Sequence, residues 1–570
     1  MYFPRPDFAL DQVIKSSEEK NQSTPSTEGL KYLRNSMKIS GDNKRFQTAL
    51  GLTFILIVAC FSLYESPFTA SNLTIAPDSV EYSTAAWRLV NEGRYVVTIN
   101  GTPYPPRYPP GFALLALAPA YRLLGQDPGV GIYGILFWSL VGVGAAFFVG
   151  RRLGGLPSGL LAGAAVLLLP DYRQYSQIIM SDATCTAMML VLLLVYLRLT
   201  DAPHSWRGWV TAGVISALAA SIRPTALSAT LPFLLLALQT SSRRRSLSNG
   251  ILFALPILFF AASQQLYNFR VFGSAFRSGY QFWCPVPLDY PHLTFAISHL
   301  SSNAMAAWQS GLIILLAIIA LMFFVLRRSV GTGVTFSSAR NDCLRFVLLA
   351  AAPLTLFHLL YFYPETRFYL PVTGLFAATA GAMIGTLLQR VSDRSAVIVA
   401  ASALVLVSFL AILRTSPDPT RRHAVDLFNN TLPSTALLIS NIDPVYLDFF
   451  LNRNAERVVL PLSRRVEYAS KIVAPTKIRD PDPPPTHPFD HRCPGIRNGG
   501  GYDVVAATAS EPEGLDLIDA ALTAGTPVFL DSTHISWLQR SAVENLQIRY
   551  QMKRKAEGLY QLTHQPHRIR

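Results

Sequence analysis

The chain has 570 residues, of which 50% are hydrophobic and only 15% are charged. Soluble proteins typically carry about 25% charged residues. The deficit is concentrated between residues 46 and 413, where apolar runs of roughly 15 to 23 residues recur, so a single soluble core is excluded. The net charge of +14 does not indicate nucleic-acid binding, because the basic residues cluster in short loops between the apolar runs. The five cysteines have no CxxC spacing and indicate neither a disulfide framework nor a zinc site.

These runs predict a polytopic α-helical membrane protein, because a transmembrane helix needs about 20 apolar residues. We expect about eleven transmembrane helices, at residues 46–64, 128–150, 156–174, 182–199, 208–222, 225–240, 250–270, 307–326, 346–363, 368–388 and 396–413. Residues 1–45 are polar and are expected to form a disordered cytoplasmic tail. No signal-peptide cleavage pattern follows the first apolar run, so this run should remain as an anchor.

Residues 111–125 decide the predicted topology. This segment is apolar but short, and it carries Pro119 and Arg122. If it lies on the outer surface without crossing, every arginine-rich loop falls on the cytoplasmic side, as the positive-inside rule requires. The N-terminus would then be cytoplasmic, and the first loop (residues 65–127) and the C-terminal residues 415–570 would be extracytoplasmic.

The first loop contains the segment "APDSVEYSTAAWRLVNEGRY". Its apolar residues recur at helical spacing, which predicts an amphipathic helix on the membrane surface. Asp78 and Glu81 form a D-x-x-E capping pattern, and Gly93 stands where the helix would end. Local physics therefore favours a capping role for Asp78 over a catalytic one.

Four motifs then follow in order on the predicted outer face: the acid-led first loop with "PYPPRYPPGFALLALAPAYRLLG", then "SQIIMSDATCTAMM", "SIRPTALSATLPFL" and "YFYPETRFYLPVTG". Together they resemble the GT-C glycosyltransferases, most closely the aminoarabinose transferases of lipid A and the protein O-mannosyltransferases. The resemblance covers residues 46–414 and implies a GT-C-like fold that uses a polyprenyl-phosphate sugar. It departs from the aminoarabinose transferases before the Pro-rich turn, where those enzymes often carry an acid and a lysine and this chain has Arg107 and Tyr108.

The resemblance implies a catalytic role for Asp78 as the base that accepts the proton of an acceptor hydroxyl. Arg367 and Arg223, with Arg107 as a third candidate, would bind the donor phosphate. Asp182 and Glu81 would orient a sugar or share a Mg²⁺ or Mn²⁺ ion with Asp78, and no metal is assigned.

The alternatives to these roles are structural. Asp182 could cap its helix, and the arginines could extend from helix ends towards water. Tyr104 and Tyr108 are expected to wall a groove for the donor lipid or to anchor the loop at the interface. Asp171 and Arg173 lie just before the second motif and Glu365 lies within the fourth, without an assigned role.

Residues 415–570 alternate short apolar strands with helical stretches, which predicts a small α/β domain with a largely parallel sheet. His487, Asp490, His491 and Cys493 lie in a Pro-rich loop without metal-ligand spacing, and we read them as loop. The partners expected are a polyprenyl-phosphate-linked sugar and a lipid, glycan or protein acceptor. The competing functions are a membrane transporter and a catalytically silent scaffold on the same fold.

Overall fold

The computed structural model describes residues 27–75, 77–239, 242–283, 285–328, 338–414, 418–452, 455–462, 508–535 and 537–565. Residues 1–54 and 55–570 form two separate compact units. In the first unit the described residues are helical from Thr27 onwards. The predicted loop segment from His487 to Cys493 lies outside the described residues.

The helices within the described residues are numbered in chain order. They are α1 Thr27–Leu63, α2 Pro67–Ala70, α3 Asp78–Glu92, α4 Ala118–Leu124, α5 Ile132–Leu168, α6 Pro170–Tyr175, α7 Ser181–Asp201, α8 Trp206–Ile222, α9 Thr230–Leu238, α10 Arg243–Phe272, α11 Gly279–Trp283, α12 Pro285–Leu288, α13 Pro291–Thr294, α14 Leu300–Gln309, α15 Leu312–Arg328, α16 Ser338–Leu360, α17 Leu370–Val391, α18 Asp393–Ile412, α19 Thr420–Thr431, α20 Pro444–Phe450, α21 Pro512–Thr523 and α22 Trp537–Arg549.

Short helical turns of other types precede several of these helices. Ala113–Leu117 is a π-helical turn, and 3₁₀ turns occupy Pro128–Gly131, Pro224–Ala229, Ile297–His299 and Thr366–Tyr369.

Seven helices within the described residues are long and apolar enough to cross a membrane. An eighth is gained if the bent pair Ile297–Gln309 and Leu312–Val325, which meet at 64°, is counted as one span. The other predicted spans correspond to one arm of α5 and to two shorter helical segments, α8 and Pro224–Leu238. The predicted fold class, a polytopic α-helical membrane protein, is confirmed.

Helix α5 is two antiparallel arms, as the sequence predicts for residues 128–150 and 156–174. Its backbone leaves the helical region at Gly154 and Gly155, and Gly155 has a φ of 82°, which favours glycine. A Cβ atom on Gly150 would lie 2.3 Å from the carbonyl oxygen of Ser158. The arms therefore pack so closely that glycine is required at their contact.

Residues 111–125 form a helix too short to cross. The apolar helical segment Ala113–Leu124 has 12 residues, about 18 Å, whereas the hydrocarbon core is about 30 Å thick. It packs along the start of α5: the Trp138 indole donates to the carbonyl oxygen of Leu115 at 2.9 Å. The prediction that this segment does not cross is consistent with this length.

The helices place the loop arginine Arg152 and the candidate site arginine Arg223 at opposite ends of the bundle. Helix α7 has 21 residues, about 31 Å, with Asp182 in its first turn and Asp201 at its end. Arg152 pairs with Asp201 at 2.5 Å, whereas Arg223 pairs with Asp182. The loop arginine at position 152 and the candidate site arginine at position 223 are thus separated by the length of a bilayer core.

The C-terminal domain contains a five-stranded mixed sheet. Its strands are β3 Leu437–Ser440, β4 Val458–Pro461, β5 Val528–Asp531, β6 Tyr550–Ala556 and β7 Leu559–His564, and an earlier hairpin is formed by β1 Val97–Ile99 and β2 Thr102–Tyr104. The order is β4-β3-β5-β7-β6, with β4, β3 and β5 parallel and the last two pairings antiparallel. The expectation of a largely parallel sheet holds for the first three strands only, because the chain ends in a β6–β7 hairpin.

Two parts of the C-terminal domain contact the first loop. The side chain of Asp448, in α20, accepts hydrogen bonds from Thr98 and from the backbone N–H of Gly101, at 3.0 Å for the latter. Asn100 and Val459 exchange two hydrogen bonds of 2.9 and 3.2 Å. The domain is therefore attached to the hairpin that follows α3.

Candidate active site

Helix α3 contains both candidate site acids of the first loop, Asp78 and Glu81, but it does not use Asp78 as its cap. The residue at the cap position is Pro77, without a capping side-chain hydrogen bond, and Asp78 is the first helical residue. Gly93 ends the helix in the left-handed conformation, as predicted, with a φ of 68°. The capping interpretation of Asp78 is therefore wrong, and its carboxylate makes contacts with distant parts of the chain.

Both oxygens of the Asp78 carboxylate have a donor. Arg367 Nη1 lies 2.9 Å from Oδ2, and the Tyr108 hydroxyl donates to Oδ1 at 2.5 Å. Arg367 is 8% exposed and comes from the 3₁₀ turn before α17. An arginine extending to water would be exposed, so the snorkelling alternative fails for Arg367.

A second acid–arginine pair joins α7 to the end of α8. Arg223 Nη1 lies 2.9 Å from Asp182 Oδ1, and its Nε donates to the Ser181 hydroxyl at 3.2 Å. The Asp182 side chain is fully buried, and the residue before its helix, Met180, occupies the cap position. Asp182 is therefore the buried partner of Arg223 and not a helix cap.

The third pair, Glu81 with Arg107, fixes the Pro-rich segment to α3. Glu81 accepts a hydrogen bond of 2.7 Å from the backbone N–H of Arg107, and its other oxygen lies 3.5 Å from Arg107 Nε. Burial raises the pKa of Glu81 from 4.5 to about 7, although the Arg107 guanidinium and backbone N–H lower it. A buried carboxyl of this kind is half protonated near neutral pH.

One aromatic ring links the first two pairs. The guanidinium carbons of Arg367 and Arg223 lie 5.3 and 5.5 Å from the centroid of the Phe368 ring, within the range of cation–π attraction. Sequence analysis did not select Phe368, although it directly follows Arg367. Both guanidinium groups thus contact the same ring, which connects the two acid–arginine pairs.

Tyr280 is a further site residue that sequence analysis missed. Burial raises the pKa of Tyr280 to about 12, and the Asp78 charge also raises it. The positive charges of Arg223, Arg107 and Arg367 lower this pKa. Tyr280 therefore lies within electrostatic range of the acid and all three arginines. The only signal in the sequence was its position in the loop between two predicted spans.

Tyr104 and Tyr108 do not line an open lipid groove. They are 5% and 8% exposed. Tyr104 packs edge-on against Trp283, with centroids 6.0 Å apart, and the Tyr108 hydroxyl binds Asp78. Both tyrosines therefore support the site from inside the first loop.

The arrangement does not form a ready metal site. Within the described ranges, no group of three or more His, Cys, Asp or Glu side chains could hold a metal ion. Asp78 and Asp182, the carboxylates expected to share Mg²⁺ or Mn²⁺, each face an arginine guanidinium instead. In this state the residues do not fit a bound divalent cation.

Of the three unassigned neighbours, Asp171 interacts electrostatically with the site acid Asp182. Burial raises its pKa, a hydrogen bond from Thr366 lowers it, and Asp182 and Glu365 raise it. The pKa of Arg173 is lowered by burial. No contact of these residues within the described part of the chain defines a chemical role.

The fold is similar to the folds of two solved structures. ArnT from Cupriavidus metallidurans bound to undecaprenyl phosphate superposes with a TM-score of 0.55 at 12% identity, covering 90% of this chain and 97% of that chain. The apo oligosaccharyltransferase of Archaeoglobus fulgidus gives a TM-score of 0.50 at 9% identity, covering 92% of this chain and 75% of that one. The expected GT-C-like fold is confirmed.

The family comparison matches a shorter part of the chain. Residues 108–267 match the family model described as dolichyl-phosphate-mannose-protein mannosyltransferase. This range includes Tyr108, Asp182 and Arg223, whereas Asp78 and Arg367 lie outside it. No curated protein matches by sequence.

Proposed function

We propose that this protein is an inverting glycosyltransferase that moves a sugar from a polyprenyl-phosphate donor to an acceptor hydroxyl. The observation that carries the proposal is the convergence of Asp78–Arg367 and Asp182–Arg223 on the Phe368 ring, on a GT-C fold. Four separate segments supply these charges. The ArnT structure to which this fold is similar is bound to undecaprenyl phosphate, a lipid of the donor class.

In this mechanism Asp78 is the general base. The acceptor oxygen attacks the anomeric carbon of the sugar as its proton passes to an oxygen of Asp78, and the bond from that carbon to the phosphate oxygen breaks. The bonding electrons leave with the phosphate, which departs as polyprenyl monophosphate. The reaction needs no general acid, because this leaving group is stable as an anion.

The arginines stabilise the leaving group. A sugar-linked phosphodiester carries one negative charge, and the departing monophosphate acquires a second, so the need for fixed positive charge increases during the reaction. Arg367 and Arg223 present two planar guanidinium groups over one ring, the geometry suited to phosphate oxygens. Phosphate binding would draw Arg367 partly away from Asp78 and leave that carboxylate oxygen available to the acceptor.

Arg107, the third phosphate candidate, has a supporting role in this proposal. Its backbone and Nε bind Glu81, which holds the Pro-rich segment against α3. Glu81 and Arg107 thereby fix the position of Tyr108, the next residue. Assays with EDTA followed by Mg²⁺ or Mn²⁺ test whether the transfer requires a divalent cation.

The sugar would be a hexose or a pentose, and the acceptor a lipid, a glycan or a protein. The direct experiment uses the purified protein in lipid nanodiscs with radiolabelled polyprenyl-phosphate mannose and polyprenyl-phosphate aminoarabinose in turn. Product formation is followed with each acceptor class. Transfer by the wild type and its loss in Asp78→Asn support the proposal.

The same purified protein, reconstituted into proteoliposomes, tests the transporter alternative. In proteoliposomes, substrate flux that persists in Asp78→Asn without sugar transfer would contradict the proposed function. Transfer without net flux is the expected result.

We also propose that the site faces away from the cytoplasm and that the N-terminus is cytoplasmic. The separation of the loop arginine Arg152 from Arg223 across α7 supports this orientation, because cytoplasmic loops carry the excess of positive charge. Reporter fusions after Arg152 and after Arg570 should report cytoplasm and exterior respectively. An exterior signal after Arg152 would contradict the orientation.

A further inference from the structure

Tyr108 makes a contact with Asp78 that its assignment to the lipid groove did not anticipate. Its hydroxyl donates to Oδ1 of Asp78, whereas Arg367 contacts Oδ2. The two donors therefore occupy different oxygens of one carboxylate. They also differ in kind, because Arg367 is charged and required by the phosphate, whereas the tyrosine is neutral.

The ring of Tyr108 is fixed from several directions. It stacks on Tyr82 with centroids 4.4 Å apart and meets Tyr280 edge-on at 5.4 Å. The carbonyl oxygen of Tyr108 accepts a hydrogen bond of 3.0 Å from the Tyr95 hydroxyl. Pro109 and Pro110 follow directly and restrict the backbone. The hydroxyl is thus held in place independently of Arg367.

The hydroxyl can act only as a donor towards this carboxylate. Burial and the Asp78 charge raise the pKa of Tyr108 well above its usual range, so it stays protonated. Tyr108 therefore remains a hydrogen-bond donor that orients Oδ1 of Asp78.

We propose that Tyr108 is the positioning residue of the catalytic base: it holds Oδ1 of Asp78 while Oδ2, released as Arg367 engages the donor phosphate, accepts the acceptor's proton. The inference rests on the proposed function. Each oxygen of the Asp78 carboxylate then has its own role: Oδ1 fixes the orientation, and Oδ2 accepts the proton. A base held by Arg367 alone would lose its orientation when the phosphate binds.

The kinetic experiment compares Tyr108→Phe with Tyr121→Phe. Both variants keep a buried ring and lose one hydroxyl beside α3, but the Tyr121 hydroxyl binds Ser83 and the carbonyl of Pro128. We expect kcat of Tyr108→Phe to fall about 10- to 100-fold, the range of one hydrogen bond to a charged group, with KM for the donor nearly unchanged. Tyr121→Phe should leave both kcat and KM for the donor nearly unchanged.

A second measurement does not depend on activity. Carbodiimide labelling of Asp78 at a fixed pH, followed by peptide mass spectrometry, reports how readily its carboxylate reacts. Asp78 should be labelled faster in Tyr108→Phe than in the wild type or in Tyr121→Phe, because one of its oxygens loses its donor. An unchanged labelling rate, an unchanged kcat, or a rise in donor KM alone would each overturn the positioning role. Faster labelling of Tyr108→Phe, when even the wild type transfers no sugar, would refute the proposed function and leave the Tyr108–Asp78 contact standing.

Discussion

Two regions of this molecule bury aspartates, and they satisfy them in different ways. In the C-terminal sheet, Asp531 at the end of β5 accepts hydrogen bonds from Thr533, two residues later, and from Ser440 on the adjacent strand, the latter at 2.7 Å. In the candidate site, Asp78 and Asp182 face the guanidinium groups of Arg367 and Arg223, from other segments of the helical bundle.

The difference separates structural acids from functional ones. Burial raises the pKa of Asp531, but hydrogen bonds from His534, Thr533 and Ser440 outweigh it and hold the pKa below its usual range. Those neutral or weakly basic groups complete a turn at a strand end. In the candidate site, Arg367 and Arg223 instead concentrate positive charge beside the Phe368 ring. This arrangement is most favourable when an anion is bound.

Among the substitutions that test this comparison, Asp78→Asn is expected to lower activity the most. Asparagine keeps the shape of the side chain but removes the proton acceptor. We expect kcat to fall about 10²- to 10⁴-fold at saturating donor and acceptor, the range of general-base catalysis, in a normally folded protein that still binds the donor. Wild-type turnover by this variant would show that Asp78 is not the catalytic base. Asp78 would then be a structural acid, as Asp531 is.

Arg367→Ala should have the next largest effect. Loss of one preorganised contact to the developing phosphate charge is expected to lower kcat/KM about 10²- to 10³-fold and to weaken donor binding. Arg367→Lys should recover only part, because an ammonium group cannot make the two-pronged contact of a guanidinium. Binding of polyprenyl phosphate, measured by microscale thermophoresis in nanodiscs, provides the check. Normal donor affinity in the alanine variant would place the phosphate elsewhere.

Glu81→Gln tests the site acid whose pKa burial raises to near neutrality. Its carboxyl has a pKa of about 7 in the folded protein and 4.5 when unperturbed, so the folded state binds more protons between these values. The stability contribution is fully present below pH 4.5 and is lost as pH rises through about 7. This pKa difference corresponds to ~3 kcal/mol.

The wild type should therefore lose stability between about pH 5 and pH 8 relative to Glu81→Gln. Thermal unfolding in detergent at several pH values gives the comparison. Parallel pH dependence of the two proteins would show that folding does not raise the pKa of Glu81.

Asp531→Asn should have the smallest effect on catalysis. The variant weakens the hydrogen bonds at the end of β5 and should destabilise the C-terminal domain by about 1–3 kcal/mol. Because the hydrogen bonds of Asp531 lie within the sheet and its following turn, kcat is expected to stay within about twofold of wild type. Limited proteolysis reports the stability, and the transfer assay reports the activity. A loss of activity comparable with that of Asp78→Asn would contradict the assignment of Asp531 to structure.

The sequence by itself determined the elements with strong periodic or compositional signals. Long apolar runs specified a helical membrane protein, because a buried backbone in lipid must satisfy its own hydrogen bonds. Short apolar runs in residues 415–570 predicted β3, β4, β5 and β7, of which the first three are mostly buried. Strand β6 escaped prediction because most of its residues are exposed and polar, and its pairing with β7 comes from the hairpin geometry.

Only the tertiary structure decided what the charged residues do. Asp78 fits a capping pattern locally, yet its carboxylate turns to Arg367 and Tyr108, because helix packing brings these three residues together. Motif order indicated the acids and arginines, but not which acid faces which arginine. The roles of Tyr108, Tyr280 and Phe368 were equally hidden: an aromatic residue near an apolar run has the same local signal whether it faces lipid or a catalytic carboxylate. The physical reason is that pairing depends on side-chain direction across a packed interface, which sequence spacing does not encode.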